Sequence, residues 1–202
     1  MMNAQKLKII RGVLWGLLAL TILSTAALFL LKETRSSQKP LPVYGFVPEF
    51  RFTESHGTSF GLEDLKGKIS VVDFVFTSCR TACPVMSARM SQLYQAFSGN
   101  EAVQFVSISV DPEHDTLEVL RQYAQEHGAT DQRWAFLRAP SEKVKWLAEK
   151  GFFVSGDFPM MHSTKFILVD RQGRIRGYYD SFDPQSLEQL KAQIQELLEQ
   201  GT

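Results

Sequence analysis

Uncharged, mostly apolar residues run from Gly12 to Leu31 as GVLWGLLALTILSTAALFLL. As a helix rising ~1.5 Å per residue, roughly 20 such residues span the ~30 Å hydrocarbon core of a bilayer, so the run predicts a transmembrane helix. After a polar stretch the pattern becomes that of a folded domain. EFRFTESHGTSF alternates around His56-Gly57 and predicts a hairpin, followed by a turn at Lys66-Gly67-Lys68. ISVVDFVF has no helical period and reads as a buried central strand. In PVMSARMSQLYQAF, Met86, Met90, Leu93 and Phe97 repeat at helical spacing, and Pro84 suits a first turn. VQFVSISV is a second buried strand. Asp115-Thr116-Leu117-Glu118 has capping-box spacing, with Asp115 as the cap of a helix that Gly128 closes.

A short strand and a helix from about Ser141 to Gly151 come next. KFILVD and RIRGYYD then form a hairpin about Arg171-Gln172-Gly173, and Asp183-Pro184 opens a last helix with Leu187, Leu190, Ile194 and Leu197 on one face. A βαβ half followed by a ββα half is the thioredoxin arrangement. The expected class is therefore α/β, a thioredoxin-like mixed sheet flanked by helices, with an added N-terminal β-hairpin and a single N-terminal transmembrane helix.

Charge refines the ends of this picture. The chain has 22 basic and 22 acidic residues, and no aromatic-studded basic stretch argues for nucleic acid. Residues 1–31 hold Lys6, Lys8 and Arg11 with no acid, leaving 19 bases against 22 acids beyond. The positive-inside rule keeps the first end cytoplasmic, and Lys32 and Arg35 weaken that asymmetry without reversing it. The alternative, a cleaved signal peptide, has an apolar core of only ~7–15 residues. The expected organisation is a cytoplasmic N-terminus at 1–11, a membrane anchor at 12–31, a tether at 32–43 rich in Ser, Lys and Pro, and an outward-facing domain at 44–202.

The candidate chemistry sits where a central strand meets a helix. The two cysteines of the chain, Cys79 and Cys83, lie in Phe76-Thr77-Ser78-Cys79-Arg80-Thr81-Ala82-Cys83-Pro84. Open α/β sheets place sites at the carboxyl ends of strands. A helix mouth favours thiolate, which predicts that both thiols fall below their free pKa of roughly 8.5 and are reactive. Helical i and i+4 Cβ atoms stand ~5–6 Å apart where a disulfide wants ~3.5–4.5 Å, so C-x-x-x-C closes only after loop movement. Two sulfurs on one metal, at ~2.3 Å bonds, sit about 4 Å apart and suit the turn better. A structural staple closing so short a loop gains little chain entropy.

Two thiolates leave a coordination sphere open. His56 falls in a hairpin turn, His114 in a loop and His127 near a helix end. His162 precedes the strand pair that packs beside the active turn in a thioredoxin arrangement, and is the histidine that topology brings within reach. Two soft sulfurs and one imidazole suit copper, with zinc, which wants a fourth donor, as runner-up. Met160 and Met161 are nearby thioethers that serve equally well as apolar packing.

Phe76-Thr77-Ser78-Cys79, Cys83-Pro84, Val110-Asp111-Pro112-Glu113-His114-Asp115-Thr116 and His162-Ser163 followed by Leu168-Val169-Asp170 together resemble the Sco/SenC family over about residues 42–200. The resemblance implies a membrane-anchored thioredoxin fold in the inner membrane of a bacterium, its domain on the periplasmic face. It implies one copper per chain, Cu(I) or Cu(II), held by Cys79, Cys83 and His162. It also implies service in assembling the binuclear copper centre of cytochrome c oxidase, with the oxidase's copper-centre subunit as partner and another copper chaperone as a possible donor. Asp111 and Asp115 match the family's acidic loop, and Asp115 is assigned to capping. Arg80 departs from the family, many of whose members carry proline there. Its guanidinium offsets an anionic dithiolate or is simply a solvated surface group.

Three functions stay open at this point: a copper metallochaperone, a thiol:disulfide oxidoreductase in which Cys79 attacks and Cys83 resolves, and a peroxidase-like activity, for which the T-x-x-C context is missing. The first two can coexist, because oxidation of the thiols to a disulfide would expel the metal.

Overall fold

The computed structural model describes residues 4–36, 40–154 and 163–200. The chain divides into two compact units, Met1–Pro40 and Leu41–Thr202. The first contains a 33-residue helix, α1 (Ala4–Ser36), whose described side chains, at positions 11–27, are all exposed. Among the described residues no helix is long and apolar enough to cross a membrane; positions 11–27 cover only part of the apolar run Gly12–Leu31.

The second unit is a mixed sheet covered on both faces. Its elements in chain order are β1 (Gly45–Phe46), β2 (Arg51–Glu54), β3 (Ser59–Gly61), α2 (Leu62–Leu65), β4 (Ile69–Val75), α3 (Ala82–Ala96), β5 (Val103–Ser109), α4 (Leu117–Glu126), β6 (Trp134–Arg138), α5 (Ser141–Trp146), β7 (Lys165–Val169), β8 (Arg174–Asp180) and α6 (Pro184–Glu199). A π-helical turn, Leu147–Gly151, extends α5. The sheet order is β1-β8-β7-β4-β5-β6-β2-β3. β4, β5 and β6 are parallel, and β7 and β8 run antiparallel beside β4. This is the thioredoxin-like arrangement, extended by the β2–β3 hairpin against β6 and by β1, which pairs with β8 and has no strand-like run in the sequence.

β4 and β5 are buried along their whole length, so alternation divides their side chains between two cores. Ile69, Val71 and Phe105 pack with α3, α4 and α6 through Met86, Met90, Leu93, Leu120 and Leu190. Val72, Phe74 and Ile108 pack on the other face with Leu65, Val144, Leu147 and Phe152. The β2–β3 pairing leaves no space at Gly61. Its φ of −155° is open to any residue, but a Cβ there would stand 2.3 Å from the carbonyl oxygen of Phe50. Gly61→Ala is expected to cost about 1–3 kcal/mol by forcing the two backbones apart, measurable as a lower urea midpoint. An unchanged midpoint would show that the hairpin moves without penalty.

Candidate metal centre

β4 runs out at Val75 into the turn that carries the cysteines. The amide of Cys79 donates to the carbonyl of Phe76 at 3.3 Å, turning the chain toward α3. Thr81, the N-cap of α3, makes no side-chain cap bond. The Cys79 sulfur takes that place: the amide of Cys83 donates to it at 3.4 Å, and the Thr81 hydroxyl stands 3.6 Å away. The sulfur of Cys79 is therefore an acceptor at a helix N-terminus, where unpaired N–H groups and the helix dipole favour negative charge.

No disulfide joins Cys79 and Cys83 in the structure, and their settings differ. Cys79 is half-exposed; Cys83 is completely buried. Burial pushes the Cys83 thiol well above the ordinary range, outweighing the opposing backbone of Phe76, and Cys79 and Asp73 add to the rise. The expectation that both thiols are lowered is corrected for Cys83: the first turn of α3 points that sulfur into the core, where desolvation of a thiolate outweighs the helix end.

Beneath the cysteines lies a buried polar layer. Asp73, in mid β4, is fully buried, and neither carboxyl oxygen meets a hydrogen-bond partner in good geometry. Burial drives its pKa up to about 7, against a smaller lowering by Ser107, its register partner on β5, whose hydroxyl accepts from the Trp134 indole at 3.0 Å. The Tyr123 hydroxyl shares a 2.7 Å hydrogen bond with Ser87. Burial raises the Tyr123 pKa, and Cys83 and Asp73 reinforce that rise.

The loop after β5 borders the cysteine turn, and the structure corrects the capping assignment. Thr116, not Asp115, caps α4, accepting from the amide of Val119 at 3.3 Å. Asp115 is buried and accepts from the Thr77 hydroxyl at 2.5 Å, the Thr77 amide at 3.3 Å and the Ser109 hydroxyl at 2.6 Å. Asp111 pairs with the exposed His114 at 2.9 Å, and its hydrogen bond raises the imidazole pKa. Arg138 donates twice to the carbonyl of Pro112, at 3.0 and 2.6 Å. Arg80 is exposed. His56 and His127 lie elsewhere: His56 is in the β2–β3 turn against Glu54, and His127 packs edge-to-face with Tyr123 at the end of α4.

His162 lies outside the described residues, as do Met160 and Met161. Among the described residues no group of three or more histidine, cysteine or acidic side chains could hold a metal ion. Thr164 and Ser163, which follow His162, are tied down: the amide and hydroxyl of Ser181 donate to the Thr164 carbonyl at 3.2 and 2.7 Å, and the Ser163 hydroxyl accepts from the Lys165 amide.

The turn and its flanking strands match known proteins. The SCO1/SenC family model matches residues 38–199. A SCO1 protein homolog of Bacillus subtilis is 29% identical over 184 residues, covering 88% of this chain and 91% of its own. The crystal structure of a SCO1/SenC family lipoprotein from Bacillus anthracis is 32% identical, covering 80% of this chain and 99% of that one, with a TM-score of 0.74. BsSco, described as having a disulfide switch and as a member of the Sco family of cytochrome c oxidase assembly proteins, is 28% identical over 79% of this chain and 98% of its own, with a TM-score of 0.71. ScoI of Bradyrhizobium japonicum, solved with copper bound, shares the fold at 24% identity and a TM-score of 0.63, over 75% of this chain and 99% of its own.

Proposed function

We propose, from the premise that this chain belongs to the SCO1/SenC family, that it is a copper-binding factor in cytochrome c oxidase assembly, holding one copper ion through Cys79, Cys83 and His162 and passing it to the oxidase's binuclear centre. One observation carries the reading: a central strand delivers two sulfurs to one helix mouth, the first accepting a helix amide and the second shut away from water. Such a pair of soft donors suits copper. β7 supports the third ligand. It runs antiparallel to β4, so its first residue, Lys165, lies at the sheet end where β4 leads into the cysteine turn. His162 is three residues before Lys165, a reach of at most ~10 Å.

The same geometry favours thiol reduction as a second reading. The half-exposed Cys79 is available to attack a target disulfide, and the buried Cys83 to displace the target's thiol from the mixed disulfide. The two electrons go to the target, and Cys79 and Cys83 end as a disulfide. Copper binding requires the reduced pair, so oxidation would release the ion.

Gly12–Leu31 is proposed as the anchor, with Lys6, Lys8 and Arg11 on the cytoplasmic side and the globular unit on the outer face of a bacterial inner membrane.

X-ray absorption on the copper-loaded protein tests the ligand set. The parent is expected to show one copper bound by two sulfurs and one imidazole. His162→Ala is expected to lose the imidazole signal and more than the ~10–100-fold in affinity that losing an outer-shell partner costs. Identical spectra and affinities would remove His162 from the site, while turnover of a disulfide target by His162→Ala would favour the reductase reading.

A further inference from the structure

Asp115 has no part in the proposed ligand set and is not the helix cap that its position suggests. Its carboxylate is completely buried, which is costly unless hydrogen bonds replace water. The bonds come from two other places in the chain. On one side Ser109, at the end of β5, donates its hydroxyl to Oδ2 at 2.6 Å. On the other, Thr77 donates its hydroxyl to Oδ1 at 2.5 Å and its amide to both oxygens at 3.3 Å. Thr77 precedes Cys79 by two residues, inside the turn that begins at Phe76. A rigid strand end is thus tied through one carboxylate to the short segment that aims the Cys79 sulfur at the mouth of α3. Ser109 is itself held, its oxygen accepting from the Asp111 amide at 3.2 Å, and Arg138 fixes the next residue of that loop.

We infer that Asp115 is a positioning residue for Cys79: it clamps the Thr77–Cys79 segment so that the two sulfurs stay at one separation with metal bound or absent. The inference rests on the copper-binding reading above and adds to it a residue outside the ligand set. Metal affinity depends on such preorganisation, because a ligand free to swing loses entropy when the ion captures it. Removal of the clamp leaves both thiols present and both helices formed, and makes Cys79 mobile.

Three variants separate clamping from plain stability. Thr77→Val removes the hydroxyl donor at nearly constant volume. Asp115→Asn replaces an acceptor by a donor facing Ser109 or Thr77. Asp183→Ala removes the N-cap of α6, a stabilising group that touches neither the carboxylate nor the turn. For each, Cu(I) affinity is read by competition with a chromophoric chelator, native-state alkylation of Cys79 by iodoacetamide by mass spectrometry, and Tm by calorimetry.

Thr77→Val and Asp115→Asn are expected to lose ~10–100-fold in Cu(I) affinity and to alkylate several-fold faster at Cys79. Asp183→Ala should lower Tm while staying near the parent in both other readouts. Should Thr77→Val melt lower yet bind and alkylate like the parent, Asp115 is scaffold and the clamp is overturned. Failure of Asp115→Asn to fold leaves Thr77→Val to decide. If the parent takes up no Cu(I), the copper reading fails, and the alkylation rates still judge the clamp by themselves.

Discussion

Asp73→Asn is expected to leave the reduced, metal-free protein more stable than the parent at pH 8 by on the order of 4 kcal/mol, with a much smaller difference at pH 4. Asp73 is fully buried with no hydrogen-bond partner in good geometry among the described residues, and burial lifts its pKa from 3.8 to about 7. The folded state therefore holds this proton more tightly than the unfolded chain. Linkage then makes stability fall with rising pH from about 4 to about 7, because over that window the native protein binds the extra proton. At ~1.4 kcal/mol per pH unit, the window amounts to roughly 4 kcal/mol, a large share of the ~5–15 kcal/mol that stabilises a domain. Asparagine keeps the shape and cannot ionise, so it removes the slope. Urea unfolding of parent and variant at pH 4, 5.5, 7 and 8 under reducing conditions provides the comparison. Parallel curves across that range would mean that Asp73 ionises in the fold without penalty.

Asp170→Ala is expected to act in the opposite sense and to cost about 3–5 kcal/mol at neutral pH, because it strands a buried guanidinium. Asp170 Oδ2 accepts from Arg176 Nη1 at 2.8 Å and from Arg174 Nε at 2.7 Å, while Oδ1 accepts from the amides of Gln172 and Arg174 at 2.9 and 3.0 Å. Arg176 is only 5% exposed; it also donates to the Leu41 carbonyl, and its Nε meets no partner among the described residues. With the carboxylate gone, the charge stays buried and uncompensated. Burial alone would raise the Asp170 pKa, but the amides of Arg174 and Gln172 and both guanidinium groups outweigh it and hold the pKa low. The stability from this group is therefore present above the unfolded carboxylate value and is lost as pH falls through the depressed folded value. Together the two aspartates predict greatest stability at about pH 4, where the Asp170 contribution is in place and the decline due to Asp73 has only begun. A chemical-denaturation series in which Asp170→Ala matched the parent at pH 7 would show that Arg176 finds other solvation.

The elements themselves were legible from local pattern. The hairpin about His56-Gly57, the buried strands β4 and β5, the Met86–Met90–Leu93 face of α3 and the Asp183 cap of α6 all follow from periodicity, turn residues and capping, which act over a few residues. β1 was not legible. It is two residues long, too short for any alternation, and exists only because β8 offers an edge. The cysteine turn could be placed at a strand–helix junction from spacing alone.

What the sequence by itself determined is the inventory and the order: two thiols at one helix mouth, a late histidine before a strand pair, and an apolar run at the start. Which of those groups water can reach was decided by tertiary structure, and with it their chemistry. Cys83 is lifted rather than lowered because it is wholly buried, with Asp73 of β4 adding to the rise, and Asp73 holds a proton near neutrality because its strand lies between two packed layers. Asp115 abandons the cap that its spacing favours, since folding brings a hydroxyl and an amide 38 residues away to its carboxylate while Thr116 serves the helix. Desolvation and long-range hydrogen bonds depend on neighbours distant in the chain, and periodicity carries no record of them.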